Sequence, residues 1–203
     1  MENYLVGGAA SAQQAVINSA ALLNCSSNSR RWMLGEDPSD PYPGCHGDPG
    51  TPEAPSTWVF GHEQPWSQAM PAAVAASLGE RSQGYSVQQR MHSTFDRNLF
   101  ALLTVVSGRR YEEASGYARS KRFFEQDARG YFKGSIFPFG FHSIKKWGDP
   151  ARRLTRFRRK EDYQAWSLAY RVPVVRDMVN HHRPSLFIGI GAAHKRAFER
   201  ITG

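Results

Sequence analysis

The stretch Pro184-Ser185-Leu186-Phe187-Ile188-Gly189-Ile190-Gly191-Ala192 decides the fold class. A proline opens it, an apolar run without charge follows, and helical spacing takes over after the glycines. This predicts a strand over Leu186 to Ile190. A helix then runs from about Ala192 to Thr202, with Ala193, Ala197, Phe198 and Ile201 facing inward.

Working outward, Thr57 to Gly61 is a second short strand, and Trp32-Met33-Leu34 ending at Gly35 is a third. Ser135 to Phe141 reads as a fourth strand, broken at Pro138. Helical spacing appears over Ala12 to Leu23, Ala69 to Leu78, Phe95 to Val106, Glu112 to Phe132 and Asp162 to Asn180. Phe95, Leu99, Leu102, Leu103 and Val106 form an apolar stripe that should be buried. In the later helix, Trp166, Ala169 and Tyr170 share a face, and Pro173 should kink or break it. Between Pro38 and Pro55, nine of 18 residues are Gly or Pro, which predicts a loop. Short strands alternating with helices predict a three-layer α/β/α fold around a mainly parallel four-stranded sheet.

At 203 residues the chain has the size of one domain, able to bury a core without disulfide or metal staples. Its longest apolar run, Ser185 to Ala193, is far short of the roughly 20 residues a membrane helix needs. Residues 1 to 24 lack the basic start and clean apolar stretch of a signal peptide, so a cytoplasmic monomer is expected. Cys25 and Cys45 have no metal-ligand spacing and read as free thiols, with no cofactor implied.

The net charge of +8 is unevenly distributed. Residues 1 to 80 carry 2 Lys/Arg against 8 Asp/Glu, leaving 24 against 10 for residues 81 to 203. Lys145, Lys146, Arg152, Arg153, Arg156, Arg158, Arg159 and Lys160 fall in one segment with a single acid, Asp149. Such a cluster attracts a polyanion, because each neutralised phosphate releases counterions. It also serves as a solvated helix face or loop that confers solubility.

In open α/β sheets ligands bind beyond the carboxyl ends of the strands. There the sequence has Gly35-Glu36-Asp37-Pro38, then Trp58-Val59-Phe60-Gly61-His62-Glu63, then Ser135-Ile136-Phe137-Pro138-Phe139, then Gly189-Ile190-Gly191. Taken in order, Gly35 to Pro38, Trp58 to Glu63, Ile136 to Phe139 and the run Arg183 to Ala192 before a helix resemble the uracil-DNA glycosylase superfamily over residues 30 to 203. The last three look most like its single-strand-selective monofunctional branch. The first looks closer to the branch whose opening motif holds a carboxylate.

The resemblance implies hydrolysis of the bond joining uracil, or a related damaged base, to deoxyribose. The base would be flipped out of DNA, single-stranded or with one extruded nucleotide, then stacked on an aromatic ring and read on its Watson–Crick edge. Asp37 matches the family's water-activating carboxylate, with Glu36 as a substitute if the turn points it inward. Phe60 matches the base-stacking aromatic, and Gly35, Pro38, Gly61 and Phe137 would line the base pocket. Ser135 falls near the family's base-reading asparagine, a departure that bears on uracil selectivity. The family's final His-Pro-Ser loop, which supplies the leaving-group donor, is absent before Gly203. Three alternatives follow: a truncated version of a longer protein, another residue in that role, or binding without cutting. His62, His142 and His194 lie near predicted strand ends.

Each motif also has a purely structural reading. Asp37 caps turns well, Phe60 suits a strand core, and His181-His182 suits a helix C-terminus. Trp147 either stacks a base or anchors a loop. A DNA-binding protein that keeps the fold without catalysis is therefore the alternative function. A small-ligand hydrolase or transferase using Gly189 to Gly191 as an anion turn ranks last.

Overall fold

The computed structural model describes residues 45–61, 85–137, 147, 152, 155 and 157–203. The expected strand at Trp32 to Leu34 and the helices at Ala12 to Leu23 and Ala69 to Leu78 lie outside the described residues.

The chain is a mixed α/β protein with a four-stranded sheet. The strands are β1 (His46–Gly47), β2 (Thr57–Gly61), β3 (Tyr131–Ser135) and β4 (Leu186–Ile190), in the order β1-β3-β2-β4. β2 pairs in parallel with both β3 and β4, whereas β1 runs antiparallel to β3. The sheet is therefore mixed rather than mainly parallel. The antiparallel strand comes from within the Pro/Gly-rich loop expected over residues 38 to 55, and two residues are too few to leave a periodicity in sequence.

Among the described residues there are five α-helices: α1 (Val87–Arg90), α2 (Thr94–Val106), α3 (Ala114–Lys121), α4 (Lys160–His182) and α5 (Lys195–Thr202). α2 begins at Ser93, whose hydroxyl accepts from the Asp96 N–H at 3.3 Å, the expected role of a serine N-cap. Alternating residues of β2 feed two cores. Trp58 and Phe60 join Phe132, Val172, Val175, Met178, Phe198 and Ile201, which are drawn from β3, α4 and α5. Val59 joins Leu99, Phe100, Leu103, Ala118 and Phe123, from α2, α3 and the segment after it. Burying each such side chain is worth about 1.5–3 kcal/mol.

Three expectations are corrected. Leu99 and Leu103 are buried, but Phe95, Leu102 and Val106 are 50%, 43% and 48% exposed, so the α2 stripe is only half covered. α4 continues through Pro173, so of the two outcomes expected there, a kink or a break, the break does not occur. Its buried face is Tyr163, Trp166, Ser167, Arg171, Val175, Met178 and His182, with Ala169 and Tyr170 outward. Finally, the helix expected over Glu112 to Phe132 ends at Lys121, and Tyr131 to Ser135 is β3. Arg122, Phe124 and Asp127 take left-handed φ values of 53°, 61° and 66°, which turn the chain from helix to strand.

Candidate functional site

The parallel register aligns Gly61 with Ser135 on one side and with Ile190 on the other. Three strand ends that carry expected site motifs thus share one carboxyl edge, and the Ile136 N–H extends the ladder by donating to the Gly61 carbonyl at 3.0 Å. Ser135 is buried there. Its hydroxyl donates to the Phe137 carbonyl at 2.8 Å and accepts from the Phe137 N–H at 3.2 Å, closing a tight local turn. Ser135 thus shapes the path of the chain leaving β3.

Phe137 is buried at the same rim. Its ring meets His194 edge-on at 5.2 Å and Tyr163 at 6.3 Å. His194 follows β4 in a single 3-10 turn, so of the three histidines expected near strand ends it is the one that lies at the described rim. His62 and His142 lie outside the described residues.

Phe60 is buried in the core beneath this edge. One stacked contact is with Phe187 at 5.4 Å and another with Trp58 at 5.9 Å. Its ring also lies against Gly134, where a Cβ would come within 2.4 Å of the ring's Cζ. Glycine is required at that position by this close approach.

Arg171 escaped the sequence reading. From α4 its Nε donates to the Ser135 carbonyl at 3.4 Å and its Nη2 reaches the Cys45 sulfur at 3.6 Å. A guanidinium that is only 4% exposed therefore sits directly behind the rim. The signal was available as the i, i+4 series Tyr163, Ser167, Arg171, Val175, but its polar members disguise an inward face.

A second polar cluster lies below the β3 end. Lys133 donates to Asp96 at 3.0 Å, and the Tyr85 hydroxyl donates to the same carboxylate oxygen at 3.0 Å. Burial holds the Lys133 ammonium below the usual lysine range, an effect Asp96 partly offsets. Burial, and then the Asp96 charge, push the Tyr85 phenol well above the usual tyrosine range. The Lys133 Nζ lies 4.8 Å from the Tyr85 ring centre and within 6 Å of Phe95 and Phe124.

No protein-family model, curated protein or solved structure matches the chain.

The other expected site residues divide by location. Gly35, Glu36, Asp37 and Pro38 lie outside the described residues, as do Lys145, Lys146, Arg153 and Arg156. Arg152 and Arg158 are exposed. Arg159 is exposed and holds Asp162 through two hydrogen bonds of 2.8 and 3.2 Å. Lys160 is buried at the start of α4, so the basic segment is not a uniform surface. Trp147 donates to the Phe157 carbonyl at 2.8 Å and stacks on Tyr163 at 5.3 Å, which anchors its loop. His182 is buried, not merely a helix-end charge, and its Nδ1 donates to the Gly50 carbonyl at 2.7 Å.

Gly189 answers a packing need, since a Cβ there would fall 2.6 Å from the Phe198 ring. Cys45 forms no disulfide. Among the described residues no helix is long and apolar enough to cross a membrane, and no cluster of His, Cys, Asp or Glu has the makings of a metal site.

Proposed function

We propose that the protein is a DNA glycosylase-like hydrolase that cleaves the N-glycosidic bond of uracil, or a related damaged base, flipped out of DNA. The supporting observation is the common carboxyl edge of β2, β3 and β4. Three motifs that resemble the uracil-DNA glycosylase superfamily, separated by long intervals in sequence, end there side by side. In this reading the fold is a three-layer α/β/α sandwich, and the protein works as a cytoplasmic monomer.

Asp37, with Glu36 as its substitute, would stabilise positive charge developing on the sugar and orient the attacking water. Gly35, Pro38, Gly61 and Phe137 would shape the base pocket. Arg152 and Arg158 would hold phosphates with the rest of the basic segment. His194 is a candidate donor to the departing base, because it stands at the rim against Phe137. Phe60 would serve by supporting the pocket floor from the core, as its ring faces Phe187 and Trp58.

The test is uracil release from single-stranded and duplex oligonucleotides. Wild type should release the base, and Asp37→Asn should slow release by about 10²–10⁴-fold, the scale of a lost general base. Absence of release by wild type in every backbone and base context overturns the enzymatic reading. A non-catalytic DNA-binding protein is the second reading. It is favoured by the Ser135 hydroxyl, which both donates to and accepts from the Phe137 backbone where the family reads the base. It predicts salt-dependent DNA binding without base release.

A further inference from the structure

A groove of about 420 Å³ opens between α2 and the start of α3, with none of the rim residues in its lining. Phe100 and Met91 give it an apolar floor, and Arg97, Arg119, Tyr111 and Glu112 stand on its walls. The volume falls in the range of small-molecule sites.

The arginines around this groove fall into two groups. Arg109, Arg110 and Arg122 are each tied to a glutamate, Glu113 or Glu125. Arg97 and Arg119, which line the groove, form no ion pair among the described residues. Arg97 makes one side-chain hydrogen bond, to the Thr94 hydroxyl at 3.3 Å. Two guanidinium forks open to one groove suit a phosphate group, whose oxygens accept in pairs. Tyr111 is 64% exposed, so its ring contributes little to the core and leaves a flat aromatic face beside the cations. That face suits a nucleobase. Glu112 adds an acceptor, which suits a base carrying an exocyclic amino group.

We infer that this groove is a separate binding site for a nucleotide phosphate with an amino-bearing base, held by Arg97 and Arg119, stacked on Tyr111 and read by Glu112. A free nucleotide and a nucleotide within single-stranded DNA share this chemistry. The site does not depend on the glycosylase reading.

Calorimetry on the full chain with CMP, UMP, inorganic phosphate and an oligodeoxycytidylate lacking terminal phosphate tests it. CMP should bind about tenfold more tightly than inorganic phosphate through stacking, and about fivefold more tightly than UMP through Glu112. Arg97→Ala/Arg119→Ala should weaken CMP by about tenfold or more. Tyr111→Ala should bring CMP close to phosphate, and Tyr111→Phe should stay within about twofold of wild type. All these side chains are exposed, and far-UV circular dichroism checks that each variant folds. A tighter oligonucleotide than CMP, lost in the double arginine variant, identifies the strand as the source; the reverse order identifies the free nucleotide. Equal affinity of wild type and the double variant for every probe overturns the site. CMP no tighter than phosphate overturns a nucleotide as its ligand, and equal CMP and UMP overturns the amino-group preference. Uracil release, where present, should survive in the double variant.

Discussion

Lys133 of β3 and Asp96 of α2 form a buried ion pair with Nζ 3.0 Å from Oδ1 and side chains only 8% and 5% exposed. The pair ties the first turn of α2 to the sheet. Removing one partner strands the other charge in the core, so Asp96→Ala should cost about 3–5 kcal/mol. Replacing both, as Lys133→Met with Asp96→Leu, should cost less than Asp96→Ala alone, because the buried ammonium leaves with its partner and only the more exposed Arg90, 4.0 Å from the carboxylate, loses a counter-charge. Urea denaturation of the three proteins gives the comparison, and a double replacement worse than the single would contradict it.

The same cluster predicts a pH profile. Burial lowers the Lys133 pKa in the folded chain. Between that lowered value and about 10.4 the unfolded chain therefore binds more protons, and stability rises with pH. Burial and Asp96 raise the Tyr85 pKa, so above about pH 10 the folded chain keeps a proton that the unfolded chain loses, and stability falls. Tyr131, pushed up to about 12 mainly by burial, adds to that fall. Urea midpoints from pH 7 to 11 should lose the rise in Lys133→Met and keep only a shallower fall in Tyr85→Phe.

This pair also explains what the sequence revealed and what it concealed. β2 and β4 have the expected bounds, because Thr57 to Gly61 and Leu186 to Ile190 are charge-free runs with glycine or proline nearby. β3 reads Tyr-Phe-Lys-Gly-Ser, and its inward lysine finds its counter-charge 37 residues away on another element. No local pattern carries that information. The turn that ends α3 is built on non-glycine residues in left-handed conformation, and a positive-φ glycine, Gly130, comes only at the entry to β3, so helix spacing runs on past Lys121 without a stop at its true end. At the candidate site the strand-end positions of Gly61 and Ile190 were legible from run length alone, whereas Ser135 was not, because the apolar run read as a strand from Ser135 onward begins where β3 ends. Arg171 was not, because its inward direction depends on reading Ser167 and Arg171 as members of a buried face.

Phe60 and Gly134 give a packing prediction. Gly134→Ala places a methyl 2.4 Å from the Phe60 Cζ, so the ring must shift within a filled core. The expected cost is about 1–3 kcal/mol. Phe60→Leu relieves that crowding, so in the double variant the alanine should cost less than it does in wild type. A double-mutant cycle by urea denaturation measures the coupling, and strictly additive costs would show that the ring and the glycine do not share space.

Arg158 and Arg159 separate the phosphate-binding reading of the basic segment from the solubility reading. Both are exposed, but Arg159 is engaged with Asp162 by two hydrogen bonds, whereas Arg158 forms no ion pair among the described residues. A guanidinium already holding a carboxylate must surrender it to meet a phosphate, so the two arginines should contribute unequally. If the segment tracks a nucleic-acid backbone, Arg158→Ala should reduce the slope of log affinity against log salt by about 0.7 for a single strand, the effect of one lost phosphate contact. Arg159→Ala should reduce it by less. Asp162→Asn frees Arg159 and should increase the slope. Fluorescence anisotropy of a labelled single strand over a salt series reads all three, and three slopes equal to that of wild type would leave the segment as a solvated surface.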